Sequence, residues 1–390
     1  MWKSFVPLLC CPMCKAALEL VPFAQASVDI DAPYERLAKQ RGIYNADFNQ
    51  SIESGLLLCH DGRHWFPIVS GVPILLPYQT PVHELFVSRF GNEMARLPFH
   101  YEFASGRPVS GEEFVMKSFS QEWLDYSYDG VMWGMNYEDH EKRFLYEVGA
   151  GCRPKDNGLF IEIGCGLGLT SYCAQKNFGV QAIGVDLSLA VLKAAEYYKT
   201  NPFLHFVQAS AFKLPFREGI ADVVYTHGVL HHTYSTSKAF QAVAPLCKPG
   251  GLLYVWVYGI ESTRGSPLRR IAYLLEEKTR PVFATHDSLP VAKTFIRLLA
   301  VGYMGVNAYH RFRNPRMQRY NFQRALHAAR DRFTPLYAHR HDHEEVAQWF
   351  REAGFDQIQK VDWQIMPLAD RDNYRRNVGV RARRRHTPEP

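Results

Sequence analysis

A chain of 390 residues, 47% hydrophobic and 14% aromatic, is long enough for two or three buried cores. It has no run of eighteen apolar residues, and MWKSFVPLLCCPMC lacks the apolar core and cleavage site of a secretory leader, so the reading excludes a spanning helix and expects a cytoplasmic protein whose eight cysteines are not a disulfide scaffold. The net charge of +6 is uneven: residues 262–334 hold twelve Arg and two Lys against two Glu and two Asp, a local excess of +10, which leaves the remainder at about −4.

In chain order, the first eighty residues read as a separate unit. CCPMCKAALEL places Cys11 and Cys14 in Cys-x-x-Cys spacing, and SGLLLCHDGRHWFPIVSGVPILLP supplies Cys59 and the Pro-Ile-x-x-Gly-x-Pro stretch from Pro67 to Pro73. These features resemble the small zinc-ribbon-like domain related to the activator subunit of tRNA methyltransferases. The resemblance implies a metal site, but Gly62 stands where the fourth cysteine belongs. Zinc needs four ligands in a closed site, so the expected set is Cys11, Cys14 and Cys59 with His64 (or His60); the alternative is a metal-free fold. Residues 81–150 read as helical. Their aromatic residues Trp123, Tyr126, Tyr128 and Trp133 either cover a cofactor or fill the core of a connecting helix pair.

From residue 151 the pattern alternates apolar runs with helical ones, predicting strands near 159–163, 181–186, 204–208, 222–226 and 252–258 and hence a parallel sheet. FIEIGCGLGLTSYCA runs from a strand through Gly164, Gly166 and Gly168 into a helix, and the next strand ends in Asp186. Glycines let backbone approach a ligand, a helix N-terminus offers free N–H groups, and a carboxylate at a strand end grips a ribose diol. Together they predict a site for an adenosine-containing cofactor. A dinucleotide fingerprint wants Gly-x-Gly-x-x-Gly; here position 169 is Leu, which disfavours a nicotinamide oxidoreductase. Acid-x-Gly-x-Gly-x-Gly, with Glu162 leading, resembles class I S-adenosylmethionine methyltransferases.

LHFVQASAFKLPF, ADVVYTHGVLHHT, CKPGGLLYVWVYG, EEVAQWFREAGFDQIQKVDW and NVGVRARRR resemble later motifs of the same family in order. The implied fold is α/β: a doubly wound, mostly parallel seven-stranded sheet, with the ribbon-like N-terminal domain and a helical insertion. The implied domains are 1–80, a helical linker at 81–150, a methyltransferase domain at 151–261 and 336–390, and a basic insertion at 262–335. The resemblance implies S-adenosylmethionine as cofactor, held by Glu162, Gly164, Gly166, Gly168, Asp186, Leu187, Ser210, Ala211 and His227. Ser210 stands where the family places an Asp on the adenine amine, a departure that leaves the adenine edge without charge.

The protein's part in methyl transfer is to orient the nucleophile and, for a hydroxyl, to remove its proton. THGVLHHTY offers His231 and His232 as candidate bases, with Tyr258 a secondary candidate; His339, His341 and His343 alternate before a helix and read as capping or surface groups. The Asn/Asp-Pro-Pro-Tyr motif of methyltransferases that act on the amino groups of adenine, cytosine or glutamine is absent, which argues against that substrate class. The expected activity is methylation on oxygen, with carbon as the alternative, of a small-molecule or glycan-type acceptor, and the basic insertion suggests that the acceptor is anionic. Alternatives are an RNA methyltransferase and a non-catalytic S-adenosylmethionine-binding scaffold, and a homo-oligomer is compatible with either. The basic insertion reads as three helices, PLRRIAYLLEEKTR, VAKTFIRLLAVGYMGV and RMQRYNFQRALHAARDR, forming a lid, a substrate platform or a solvated decoration; FIRLLAVGYMGV is also amphipathic enough to touch a membrane surface.

Overall fold

The computed structural model describes residues 1–97, 101–126, 128, 130–152, 154, 157–263, 267–285, 289–313 and 319–386. The start of the helix expected over 316–332, and residues 387–390 of the closing segment, lie outside the described residues. Contacts divide the chain into two compact units. The first comprises Met1–Pro108, Pro154–Val224 and Ala242–Gly251; the second comprises Val109–Arg153, Tyr225–Gln241 and Leu252–Pro390.

The first unit opens with β1 (Glu19–Ser27), α1 (Ala32–Gln40), β2 (Gln50–Cys59), β3 (His64–Val69) and β4 (Val72–Pro73), an antiparallel ribbon in the order β1-β2-β3-β4. After α2 (Pro81–Met94), β5 (Glu102–Phe103) pairs parallel to β3. Leu56, Leu58, Trp65 and Phe86 form the ribbon's core, with Phe23, Phe90 and Phe103 packed on it. The chain then contributes α3 (Glu112–Asp125), β6 (Val131–Met132), β7 (Met135–Asn136) and α4 (Tyr137–Val148) to the second unit. It returns to the first for β8 (Leu159–Ile163), α5 (Leu169–Phe178), β9 (Gln181–Asp186), α6 (Ala190–Tyr197) and β10 (Leu204–Gln208). These three strands match the predicted spans. β8 and β10 are buried along their whole length, as expected of parallel strands covered on both faces. β8 pairs parallel to β9, and β9 to β10.

β10 ends the sheet, and an open edge offers unpaired backbone groups that need a cover. The ribbon supplies it. Ile74 bridges Gln208, the Leu75 N–H donates to the Gln208 carbonyl (2.8 Å), and the Cys10 N–H donates to the Pro215 carbonyl (2.8 Å). Lys15 Nζ adds a bond to the Leu214 carbonyl (2.5 Å). His205, within β10, is a satisfied core histidine: it stacks on Phe5 at 4.6 Å and pairs through Nε2 with Gln181 Oε1 (2.7 Å). Burial holds its pKa down at about 3, so the ring stays neutral.

The remaining elements are β11 (Ala221–His227), α7 (Thr236–Val243), β12 (Cys247–Val257), α8 (Pro267–Thr285), α9 (Pro290–Arg313), α10 (Phe322–Phe333), α11 (His343–Glu352), β13 (Phe355–Lys360), α12 (Arg371–Arg376) and β14 (Val378–Arg384). β12 begins five residues before the predicted strand because the Lys-Pro-Gly-Gly stretch is already paired. The full sheet has seven strands in the order β10-β9-β8-β11-β12-β14-β13, with β14 antiparallel to both β12 and β13. In the second unit α11 starts on Asp342, whose carboxylate accepts the Glu345 N–H (2.9 Å), a standard N-cap. It buries Val346, Trp349 and Phe350, the last against Phe240 at 4.9 Å.

Candidate active site

The glycine turn closes the first βαβ run of the first unit. Gly164, Gly166 and Gly168 have φ of 77°, 51° and 79°, the left-handed region that side chains resist. At Gly168 space matters as well: a Cβ there would lie 2.5 Å from the Phe206 ring, so only glycine lets α5 start against β10. The turn is fastened to the acidic end of β9. Gly166 N–H donates to Asp186 Oδ2 (2.8 Å), while Ser188 N–H and Oγ donate to Oδ1 (2.8 and 2.7 Å). Asp186 is half-buried. Burial raises its pKa, against these hydrogen bonds.

Glu162 takes a different place from the one its charge suggested. It is buried, and the Ser171 hydroxyl donates to it (2.5 Å), so it fastens α5 to β8 from beneath the turn. Leu187 is half-buried, with its carbonyl accepting from Gln208 Nε2 (2.8 Å). Ser210 is buried with its hydroxyl accepting the Phe212 N–H (3.2 Å), and Ala211 beside it is half-buried. The donor set suits an adenosine cofactor. A carboxylate at a strand end matches a ribose diol, and side-chain-free turn positions leave room for close approach. When bound there, S-adenosylmethionine would supply an electrophilic methyl group on a sulfonium, with Asp186 and the three glycines as its holders.

In the ribbon the ligand atoms of Cys11, Cys14 and Cys59 lie within 4.8 Å of one another, and Cys14 Sγ and Cys59 Sγ are 3.4 Å apart. Sulfurs about 3.8 Å apart are what a tetrahedral zinc with bonds of about 2.3 Å requires. The missing cysteine is accounted for by its neighbours. A Cβ on Gly62 would sit 3.2 Å from His64 Nε2 and 3.4 Å from Cys59 Sγ, so the His64 ring fills the space that a side chain at 62 would occupy. His64 Nδ1 is buried without a hydrogen-bond partner. His60 is committed elsewhere: its Nε2 pairs with Glu19 and its Nδ1 with the Tyr101 hydroxyl (2.8 Å). Among the described residues Cys11, Cys14 and Cys59 form the converging group, three of the four ligands a closed zinc site needs, and His64 lies beside Gly62 outside that group.

The second unit gathers the remaining candidates into a buried polar cluster. His232 is buried, its Nδ1–H donating to the Tyr337 carbonyl (2.7 Å), which leaves Nε2 buried with no partner. Burial holds its pKa at about 3. That bond fixes the tautomer with the lone pair on Nε2. His231 is fully buried with both ring nitrogens unpartnered, and its ring lies 4.0 Å from that of Tyr258. The Tyr258 hydroxyl donates to Asp331 (3.0 Å), so it is tied as a wall and is not poised to take a proton. Burial lifts the Asp331 carboxyl to about 6. Nearby, Glu276 is fully buried and accepts from Arg280, Arg332 and Arg340, the last at 3.0 Å. Burial pushes the Glu276 pKa up, but the three guanidiniums outweigh it and hold the group ionised. Arg280 is itself buried, with Nη1 unpartnered. Buried polar atoms left open are costly unless something polar meets them, and here an acceptor can.

Glu147 is the residue that sequence reasoning missed. It is fully buried at the end of α4. It accepts hydroxyl hydrogens from Tyr225 (2.5 Å), Tyr254 (3.2 Å) and Tyr374, and it lies 3.0 Å from His227 Nδ1 and 3.6 Å from Arg143 Nε. Burial alone would raise its pKa; His227, Arg143 and the Tyr225 hydroxyl overcome that and hold it at about 2. His227 also stacks on Trp256 at 4.5 Å. Its ring is thus oriented by a carboxylate on one side and an indole on the other. No local signal marked Glu147 as a hub, because its tyrosine and histidine partners lie 78 to 227 residues away.

The other candidates have structural partners. Trp123, Tyr126 and Trp133 surround the buried His327 at 4.7, 4.5 and 4.3 Å, a core arrangement; Tyr128 is half-buried. His341 pairs with Thr236 (2.8 Å) and Glu345 (2.9 Å), and His343 opens α11. Among the described residues this trio does not converge as the three cysteines do.

Comparison with known proteins places two segments. Residues 161–255 match the family model for a methyltransferase domain, and residues 3–71 match that for Trm112p-like proteins. Over 174 residues the chain is 26% identical to a sterol 24-C-methyltransferase of Kluyveromyces lactis, covering 42% of this chain and 46% of that one. Over 98 residues it is 32% identical to a ubiquinone biosynthesis O-methyltransferase of Cupriavidus pinatubonensis, covering 24% and 39%. The chain thus spans less than half the length of these relatives. A complex of the Haloferax volcanii Trm112 methyltransferase activator with a methyltransferase aligns with a TM-score of 0.41 at 14% identity, over 72% of this chain and 100% of that one.

Proposed function

We propose that this protein transfers a methyl group from S-adenosylmethionine to a hydroxyl on a small, anionic acceptor. The observation that carries the reading is the glycine turn hydrogen-bonded to Asp186, inside the segment that matches a methyltransferase domain. Asp186 takes the ribose hydroxyls, and the backbone at Gly164, Gly166 and Gly168 admits the cofactor's chain. On the acceptor side, His232 Nε2 takes the proton of the hydroxyl as it becomes a nucleophile, while the Tyr337 carbonyl keeps the ring in the accepting tautomer. Arg280 Nη1 meets the acceptor's negative group, and Glu276 keeps the three arginines together without cancelling their charge. His227, held by Glu147 and Trp256, is a positioning residue. The relatives' names include both a C- and an O-methyltransferase; oxygen is preferred here because an unpartnered, tautomer-fixed imidazole serves a hydroxyl.

The test begins with calorimetry of S-adenosylhomocysteine on the full chain and on Asp186→Ala. Micromolar binding that the variant weakens by at least tenfold supports the reading, in keeping with loss of a charged hydrogen-bond acceptor worth about 2 kcal/mol. No binding, or an unchanged Asp186→Ala, refutes it. Labelled methyl incorporation into cell extract then separates an enzyme from a scaffold, and ribonuclease treatment separates a small acceptor from RNA.

A further inference from the structure

Two helices of the basic segment present apolar stripes to solvent, and one of them is built inside out. Along α8, Ile271, Leu274, Leu275 and Val282 share one face and are exposed, while Glu276 and Arg280 on the opposite side are buried. A helix packed on a core normally shows the reverse arrangement. α9 adds a second exposed apolar stripe, on a helix that is apolar on its buried side as well. Val291, Leu298, Tyr309 and Phe312 lie outward, at 77%, 65%, 59% and 88% exposure, while Ala292, Ile296 and Ala300 make its buried side. Single exposed leucines are ordinary, but continuous apolar stripes over two helices mark an interaction surface.

Charge identifies what covers it. α9 contains no acidic residue, and Lys293, Arg297 and Arg311 follow its stripe; Lys278 sits within the stripe of α8. No described helix is long and apolar enough to cross a membrane. An amphipathic helix with apolar residues on one face and cations beside them is the pattern that lies in a bilayer interface. A second copy of the chain is disfavoured, because the contact would bring two segments of net charge +10 together. We infer that α8 and α9 dock this protein on an anionic phospholipid surface, apolar side chains entering the acyl boundary and Lys278, Lys293, Arg297 and Arg311 meeting phosphate groups.

Vesicle sedimentation tests this on the full chain without any methyl donor, so its outcome is independent of the catalytic reading. The protein should pellet with vesicles of phosphatidylcholine and phosphatidylglycerol and not with phosphatidylcholine alone, and added salt should release it, since each cation near an anionic surface strengthens binding about fivefold. The double variant Leu298→Glu, Phe312→Glu should bind about a hundredfold more weakly, each buried apolar side chain being worth about tenfold, with circular dichroism and thermal midpoint unchanged. Leu274→Glu, on the other helix, is the second variant and should weaken binding about tenfold by the same reasoning. No pelleting with anionic vesicles at low salt overturns the inference, as do folded variants that pellet like the parent. A dimer by light scattering that the double variant abolishes would also overturn it and assign the face to a second copy.

Discussion

Lowering the pH from about 7.5 to about 5 should unfold this protein through its buried histidines. His140, His205, His232 and His327 are each at most 4% exposed, and burial holds all four at about 3, against an ordinary value of about 6.5. A histidine whose folded pKa is depressed leaves the unfolded chain binding more protons below 6.5. The stability it permits is full above that value and is lost as pH falls from 6.5 toward 3. At pH 5 the loss is about 2 kcal/mol per histidine, or about 8 kcal/mol for the four. Native stabilities are about 5–15 kcal/mol, so the loss is comparable with the whole. Urea titrations followed by tryptophan fluorescence at the two pH values measure it directly. His205→Phe, which keeps the stack on Phe5 and cannot titrate, should remove about 2 kcal/mol of the difference. A urea midpoint that is the same at both pH values, or a His205→Phe slope equal to the parent's, would refute the reasoning.

Glu147→Gln should destabilise the protein by about 3–5 kcal/mol at neutral pH, because Arg143, buried with it, loses its ion pair with Glu147 and retains Asp370 at 3.6 Å among the described residues; thermal unfolding reads this, and a midpoint within a degree of the parent's contradicts the hub. Purified protein should hold one zinc per chain by mass spectrometry, and His64→Ala should surrender it to a chelating dye about tenfold faster while His60→Ala does not; zinc near zero, or the opposite ranking, removes His64 from the ligand set. His232→Gln should lower kcat about a hundredfold with little change in S-adenosylhomocysteine affinity; equal turnover would move the proton acceptor elsewhere.

The parts of this molecule legible in sequence were those whose cause is local. β8, β9 and β10 are short apolar runs bounded by turns, and the Gly164–Gly168 turn announces its backbone through residues that only φ above zero explains. What escaped depends on direction or distance. Periodicity in PLRRIAYLLEEKTR shows that α8 has two faces but not which one is inside, and the ordinary assumption places its leucines in the core. Glu162 has the spacing for a cofactor contact, and its bond to Ser171, in the first turn of α5, could not be read from that spacing. That the His64 ring occupies the space a side chain at 62 would take is seen only in three dimensions. Glu147 belongs to a helix whose charges look like a solvated face, and tyrosines from β11, β12 and α12 turn it into a core group.

The backbone bonds from Ile74 and Leu75 to Gln208 make the ribbon a tethered neighbour that cannot be diluted away from the strand it covers. Gln208 is followed at once by Ala209, whose N–H reaches the Asp186 carbonyl (3.0 Å), and then by Ser210. The strand that the ribbon covers therefore ends within two residues of the loop beside the acidic strand end. The backbone that closes the sheet edge and the backbone that borders Asp186 are one continuous stretch, from Gln208 to Ser210.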